Sequence, residues 1–488
     1  MWRPQAFNLL ALFSFIILHK QLAAVEAQSQ ADSDNNRFYA GPGVMPSQIL
    51  RARGFLTEDH DIITKDNYTI RLTRALNPLI NKGKRGLRKR IPIIITHGIL
   101  ESFNVFVVNS AGARPKNFSN SSLADLTVTG AWARHAFEPS AKSLPMLALN
   151  YGHEVWLMSR RGFPGSQRQL GNPVEGINGD MGVKTVDGPL TAFLGGISDY
   201  GRLAQQLKFS VDKRFWNFSL DEQAKYDLPE VVDYVLKRTG RKQVSFVGHS
   251  AGGALALMAL SVNPELNKKL NNVILWSGAF SLGREDIFAG LTSSRPLLEG
   301  FVGAVPPTFT TDQLQAIGGL FCSSKLTQST LCEGIGDLIL GDSLGTAPLK
   351  PEFLNSLLYS SSSHELAQLL QNVEKGGRMH LYDHGREGNL LAYGREHSPR
   401  YNLSCITLER LSFYEAQTDF IVTVADIEAS RRLLRVPHYR HLIPAPFNHQ
   451  GYFFSNDNAR LAVIPSLREI QLFSERDLLG DANLVVPE

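Results

Sequence analysis

A serine stands between two glycines at Gly248-His249-Ser250-Ala251-Gly252, directly after the apolar run Val244–Val247 and before the alanine- and leucine-rich stretch Ala254–Leu260. A strand that turns sharply into a helix around a serine lifts the hydroxyl above the sheet, and small residues on either side let strand and helix approach closely. The following helix would aim its N-terminal dipole at charge developing on a substrate oxygen. A serine hydroxyl is a weak nucleophile by itself. It needs a base for its proton, an acid that fixes the base's tautomer, and donors for an oxyanion. Where a strand–turn–helix holds the serine, acid and histidine follow it along the chain in that order. Asp419 comes after the run Leu411–Tyr414, and His449 lies in the loop Pro-Ala-Pro-Phe-Asn-His449-Gln-Gly after the run His438–Ile443. We take Asp419 as the acid and His449 as the base. His438 and His441 fit less well because they fall at the start of or inside a strand, and Asp426 because it falls at a helix start, Val424-Ala-Asp-Ile-Glu. For the oxyanion, the run Ile91–Ile95 ends in Thr96-His97-Gly98-Ile99-Leu100, which offers the backbone N–H of Ile99 beside that of Ala251. Ile99 reads equally as a strand-end core residue. The chemistry these residue types support is nucleophilic acyl transfer.

Positioning such groups requires strands whose ends lie at one edge of a sheet. The runs Ile91–Ile95, Val155–Met158, Val244–Val247, Val273–Trp276, Leu411–Tyr414 and His438–Ile443 are short, continuous and rich in β-branched residues. That is the composition of strands buried on both faces, and the intervals between them leave room for crossover helices. Leu228, Val231, Val232, Val235 and Leu236 recur at helical spacing and present one apolar face. The expected architecture is α/β, a mostly parallel sheet with helices on both sides. In open sheets of this kind the carboxyl ends of strands hold the site.

The chain of 488 residues exceeds a single compact core, so one large core with a substantial insertion is expected. Its 43% hydrophobic and 20% charged residues exclude wholesale disorder, collagen-like repeats and a multi-span membrane protein. With a net charge of +4 and one short basic stretch, Lys82–Arg90, that lacks interleaved aromatics, no nucleic-acid partner is expected. Arg3 precedes the apolar run Phe7–Leu18, followed by Ala23, Ala24 and Ala27. This reads as a signal peptide over residues 1–27, too short in its apolar part to span a bilayer, so no transmembrane segment is expected after cleavage. Asn67, Asn117, Asn120, Asn217 and Asn402 each head an Asn-x-Ser/Thr acceptor. Of three cysteines, Cys322 and Cys332 enclose a short loop that can close as a disulfide in an oxidising compartment, leaving Cys405 free. No metal-ligating motif is present in the sequence, and no cofactor is expected. Residues 28–45 read as a flexible lead-in.

Several segments resemble the acid lipase family that includes lysosomal acid lipase and gastric lipase. They are Gly54-Phe55-Leu56-Thr57-Glu58-Asp59-His60, His97-Gly98-Ile99-Leu100, Gly152–Gly162, Phe215–Pro229, Tyr382-Asp383 with Gly388-Asn389, and Pro399–Leu403, spread along most of the chain. The resemblance implies the α/β-hydrolase fold and the triad Ser250, Asp419 and His449. It implies a mainly helical cap at residues 283–404, holding Cys322 and Cys332, inserted between core segments 46–282 and 405–488. Apolar patterns at Leu314–Leu320 and Leu366–Val373 suit such a cap. Lipid esters, triacylglycerols or sterol esters, become the expected substrates, met at a droplet or micelle surface, with the protein secreted or lysosomal. Ala251 stands where the family usually has glutamine, and the segments 109–143 and 163–214 are longer than the family's, which bears on substrate choice more than on chemistry. Peptidase or thioesterase chemistry suits the same fold, since fold and triad do not fix the leaving group. The rival class is a secreted lipase homologue that binds or stores lipid without catalysis.

Overall fold

Runs such as Ile93–Ile95 and Val273–Trp276 are apolar at every position, so their residues must be covered from both sides of whatever sheet they join. In the computed structural model they lie at the centre of a sheet that has nine strands among the described residues. The structure describes residues 44–80, 90–119, 138–170, 215–279, 282–283, 295–300, 304–305, 359 and 361–479. In chain order the strands are β1 (Leu56–Ile63), β2 (Tyr68–Leu76), β3 (Ile93–Thr96), β4 (Val155–Met158), β5 (Arg168–Gln169), β6 (Val244–His249), β7 (Leu270–Trp276), β8 (Ala304–Val305), β9 (Ser361–Ser362), β10 (Leu411–Ala416) and β11 (His438–Ile443). Across the sheet the order is β1-β2-β4-β3-β6-β7-β10-β11, with β5 paired to β2. From β4 to β11 every pairing is parallel. β1 and β2 form an antiparallel hairpin added to β4. β8 and β9 pair with each other away from the sheet.

Alternation along the strands sorts the core into two layers. Ile93, Ile95, Val247, Ile274, Trp276, Tyr414 and Ala416 face one side, where the helix Leu144–Asn150 and Leu467 and Ile470 of the terminal helix Ile464–Leu479 cover them. Ile94, Phe246, Val273, Leu275, Leu411 and Phe413 face the other. There Leu228, Val231, Val232 and Val235 of the helix Leu228–Thr239, and the helix Ala251–Val262, apolar but for Ser261, close the layer.

The strands β4 and β11 occupy the residues expected for them. β3 begins two residues later than the apolar run and takes in Thr96, while β6, β7 and β10 extend past theirs. The hairpin β1–β2 has no counterpart among the expected strands. The pattern at Leu366–Val373 lies within a helix, Ser363–Glu374, that buries Ala367, Leu370 and Val373. The leader over residues 1–27, the lead-in up to residue 43, the basic stretch up to Lys89, Asn120, the pattern Leu314–Leu320, and Cys322 and Cys332 lie outside the described residues. Cys405 is a free, exposed thiol. Asn67, Asn117, Asn217 and Asn402 are all exposed. Among the described residues no helix is long and apolar enough to cross a membrane, and no group of acidic, histidine or cysteine side chains could hold a metal ion.

Candidate active site

Ser250 joins β6 to the helix Ala251–Val262 at φ 52° and ψ −123°. A non-glycine residue with positive φ is costly, by roughly 1–3 kcal/mol, and persists only where its surroundings hold it. Here the Ser250 N–H donates to the Trp276 carbonyl at 2.9 Å, and the N–H groups of Gly253 and Ala254 donate to the Ser250 carbonyl at 2.9 and 3.1 Å. The flanking glycines are demanded by contact. A Cβ on Gly248 would lie 2.7 Å from the Gly252 backbone, and one on Gly252 would lie 2.6 Å from the His97 carbonyl oxygen. The first helical N–H, that of Ala251, has no preceding turn to receive it and is left for another acceptor. Ser250 itself is 8% exposed.

The structure brings Asp419 and His449 together. His449 Nδ1 and Asp419 Oδ2 are 2.7 Å apart. The other carboxylate oxygen, Oδ1, accepts from the N–H groups of Ile421 and Val422, both at 2.9 Å, so the acid is fixed before it meets the histidine. The loops carrying the two residues are tied to each other, the Phe447 N–H donating to Thr418 Oγ1 at 2.9 Å. Burial alone favours the neutral ring, but the Asp419 charge and hydrogen bond outweigh it and, with Glu101, hold His449 above the ordinary imidazole value. The rejected alternatives are engaged elsewhere. His438 packs edge-on against Phe413 at 5.8 Å, and His441 stacks on Tyr414 at 4.3 Å and pairs with Glu469. Asp426 caps its own helix through Thr423.

Two contacts place Ser250 against these groups and against the β3 turn. His249, the residue before Ser250, puts Nε2 3.0 Å from the His449 carbonyl oxygen, with the two ring centroids 4.7 Å apart. A Cβ on Gly98 would lie 2.9 Å from Ser250 Cβ, so the turn bearing Ile99 abuts the serine.

The sequence of residues 91–317 matches the model of the alpha/beta hydrolase fold, and residues 46–110 match the partial alpha/beta-hydrolase lipase region. A tear acid lipase-like protein of Mesocricetus auratus is 23% identical over 436 residues, 85% of this chain and 89% of that protein. Lipase member K of Mus musculus is 25% identical over 415 residues, 81% of this chain and 85% of that one. A lipase-named protein of Schizosaccharomyces pombe is 28% identical over 234 residues, 48% of this chain but only 37% of that longer protein. This chain is an α/β hydrolase of the lipase and esterase class. Its relation to the acid lipases runs along most of its length.

In this hydrolase the turn after β3 is held from several sides. His97 Nε2 accepts the Arg160 N–H at 3.1 Å while Nδ1 lies 2.9 Å from the Gly98 carbonyl oxygen, an arrangement that uses the neutral ring. Burial, with Arg160 alongside, pushes His97 down to about 3, in keeping with it. Leu100 sits at φ 57° and its carbonyl accepts the Tyr359 N–H at 2.9 Å. The Arg160 side chain, fully buried, pairs with the equally buried Glu365 of the helix Ser363–Glu374 and donates through Nε to Gln223 at 3.1 Å. Two residues at the site, Glu101 and Gln450, carry little sequence signal because, apart from Gly98 beside Glu101, their partners lie far away along the chain. A carboxylate three residues beyond a strand-end glycine is the one available hint.

Proposed function

We propose that this hydrolase cleaves carboxylic esters of lipids by acyl transfer through Ser250, His449 and Asp419. His449 Nε2 takes the Ser250 proton as the oxygen attacks the ester carbonyl, and the backbone N–H groups of Ile99 and Ala251 hold the oxyanion. The imidazolium then gives its proton to the departing alcohol, leaving an acylated serine. Water, deprotonated in turn by His449, releases the acid and restores the hydroxyl. Asp419 keeps Nδ1 protonated and stabilises the cation. The observation that carries this reading is the 2.7 Å pairing of His449 with an Asp419 already anchored by two backbone N–H groups, on loops beside a serine forced to positive φ.

Lipid esters are favoured as substrates because relatives bear names such as gastric triacylglycerol lipase, in Bos taurus 23% identical over 422 residues. Triacylglycerols or sterol esters at a droplet or micelle surface suit a cap over residues 283–404, set between core segments 46–282 and 405–488. Secretion, with the lysosomal lumen as the alternative destination, follows from the leader read over residues 1–27. It also suits the exposed acceptors Asn67, Asn117, Asn217 and Asn402. The test is hydrolysis of emulsified triolein, cholesteryl oleate and p-nitrophenyl butyrate by the wild type and by Ser250→Ala. Turnover lost in the variant supports the proposal. A folded wild type that hydrolyses none of them, yet binds lipid vesicles, would replace it with the non-catalytic reading.

A further inference from the structure

A carboxylate removed from water is stable only when its oxygens are matched by donors and its charge by a cation. Glu101 is 2% exposed and meets both needs inside the site. Its Oε1 accepts the Gly98 N–H and lies 2.7 Å from His249 Nδ1, and its Oε2 accepts from Gln450 Nε2 at 3.2 Å. These three donors come from three separate stretches of chain: the turn before Ile99, the residue before Ser250, and the residue after His449. The glycine at 98 makes room for this, since a Cβ there would lie 2.8 Å from Glu101 Oε1 and 2.9 Å from Ser250 Cβ.

His249 extends the link. One ring nitrogen faces the Glu101 carboxylate and the other the His449 carbonyl oxygen, both acceptors, so the ring is fully hydrogen-bonded only with both nitrogens protonated. The ring thus bridges the buried carboxylate and the backbone of the candidate base. Burial alone would raise the Glu101 carboxyl, but the His249 charge, its hydrogen bond and the Gly98 amide bring it down to about 2.

We propose that Glu101 is a positioning residue for acyl transfer, its carboxylate fixing the spacing between the Ile99 turn, the nucleophile and the His449 loop. Glu101 does not itself meet substrate. It acts through the peptide joining His97 to Gly98, one peptide before the Ile99 N–H, and through His249. This inference rests on Ser250 being the nucleophile.

Glu101→Gln keeps the side chain's volume but removes the charge and sets an amide N–H₂ against a donor. Wild type, Glu101→Gln and Glu101→Asp are compared for labelling of Ser250 by a fluorophosphonate, for kcat and KM on p-nitrophenyl butyrate, and for thermal midpoint. With the loss of one oxyanion donor as guide, Glu101→Gln should lower kcat by about 100-fold. A positioning role predicts that KM stays within about threefold, because ground-state binding is untouched. Glu101→Asp, which keeps the charge on a shorter arm, should lie between the two. If Glu101→Gln does not fold, Gln450→Leu, which removes one donor from the carboxylate, should still lower kcat by about threefold or more at an unchanged midpoint. A labelled wild type with kcat in Glu101→Gln within about threefold of it, or a loss no larger than the loss of folded protein, overturns the inference while sparing the nucleophile. An unlabelled, folded wild type removes the nucleophile and this inference with it.

Discussion

Gly252→Ala adds one methyl group at the tightest contact in the site. Its Cβ would stand 2.6 Å from the His97 carbonyl oxygen and 2.8 Å from Thr96 Cγ2. Neither neighbour is the free end of a long side chain. The first is backbone at the exit of β3, and the second belongs to a fully buried threonine whose Oγ1 is bonded to the Met158 carbonyl at 3.2 Å. Moving the oxygen contact out to 3.4 Å, where ordinary van der Waals contact begins, separates the two segments by about 0.8 Å. Those segments carry the two proposed oxyanion donors, Ala251 on the helix and Ile99 just after His97. A misplacement of about 1 Å between catalytic groups can cost on the order of 100-fold in rate, and overpacking of a filled interior costs about 1–3 kcal/mol. Gly252→Ala should therefore lower kcat on p-nitrophenyl butyrate by about 10- to 100-fold with a much smaller change in KM, and lower the stability read from the urea midpoint by about 1–3 kcal/mol. A variant with wild-type kcat and midpoint would refute the reasoning, for the donors would then not depend on this close approach.

Three further outcomes follow from the same structure. Asp419→Asn should lower kcat by about 10⁴-fold by releasing the wrong histidine tautomer. Because Asp419 holds His449 above its ordinary value and the base works only when neutral, the acid limb of kcat/KM should move to lower pH in this variant; an unmoved limb would contradict the assignment. Ser250→Gly should abolish turnover yet raise stability by about 1 kcal/mol, since glycine adopts φ 52° without strain; a lowered denaturation midpoint would contradict that strain. Asp221 is raised by burial from 3.8 to about 6 while accepting from the Tyr382 N–H, Gln368 and Tyr401. A carboxyl with a raised folded value binds its proton more tightly when native, so its contribution is full below pH 3.8 and is lost as pH rises through about 6. Stability against urea measured across that window should decline less steeply in Asp221→Asn than in the wild type; parallel curves would contradict the shift.

Much of the parallel half of the sheet is legible in the sequence because its strands are covered on both faces and so read as unbroken apolar runs. β4 and β11 coincide with such runs, and β10 and β6 extend theirs only by residues that begin the loops of the site. β1 is not legible. Leu56–Ile63 carries Glu58, Asp59, His60 and Asp61, lies at the sheet edge with mostly exposed side chains, and is held by backbone pairing to β2, which leaves no periodic mark. The helix after Ser250 begins at Ala251, three residues before its apolar pattern, because Gly252 and Gly253 conceal it. Those glycines, poor helix formers, are required by packing: a Cβ on Gly253 would lie 2.7 Å from Gly278 Cα. Asp419 and His449 are legible from their places just beyond strand ends, whereas the anchoring of Asp419 by Ile421 and Val422 is a property of the folded turn. Glu101, for which the spacing from Gly98 is the one local hint, is hard to read for a plainer reason. Its partners His249 and Gln450 are 148 and 349 residues away, and no local pattern encodes such a meeting.

The central claim is that Ser250 is an activated nucleophile. Labelling the purified protein with a fluorophosphonate and locating the adduct by peptide mass tests it whichever ester the enzyme prefers. One adduct on the peptide carrying Ser250, absent from Ser250→Ala and much slower in Asp419→Asn, is the predicted result. A folded wild type that takes up no probe, or takes it up on another residue, would contradict the account.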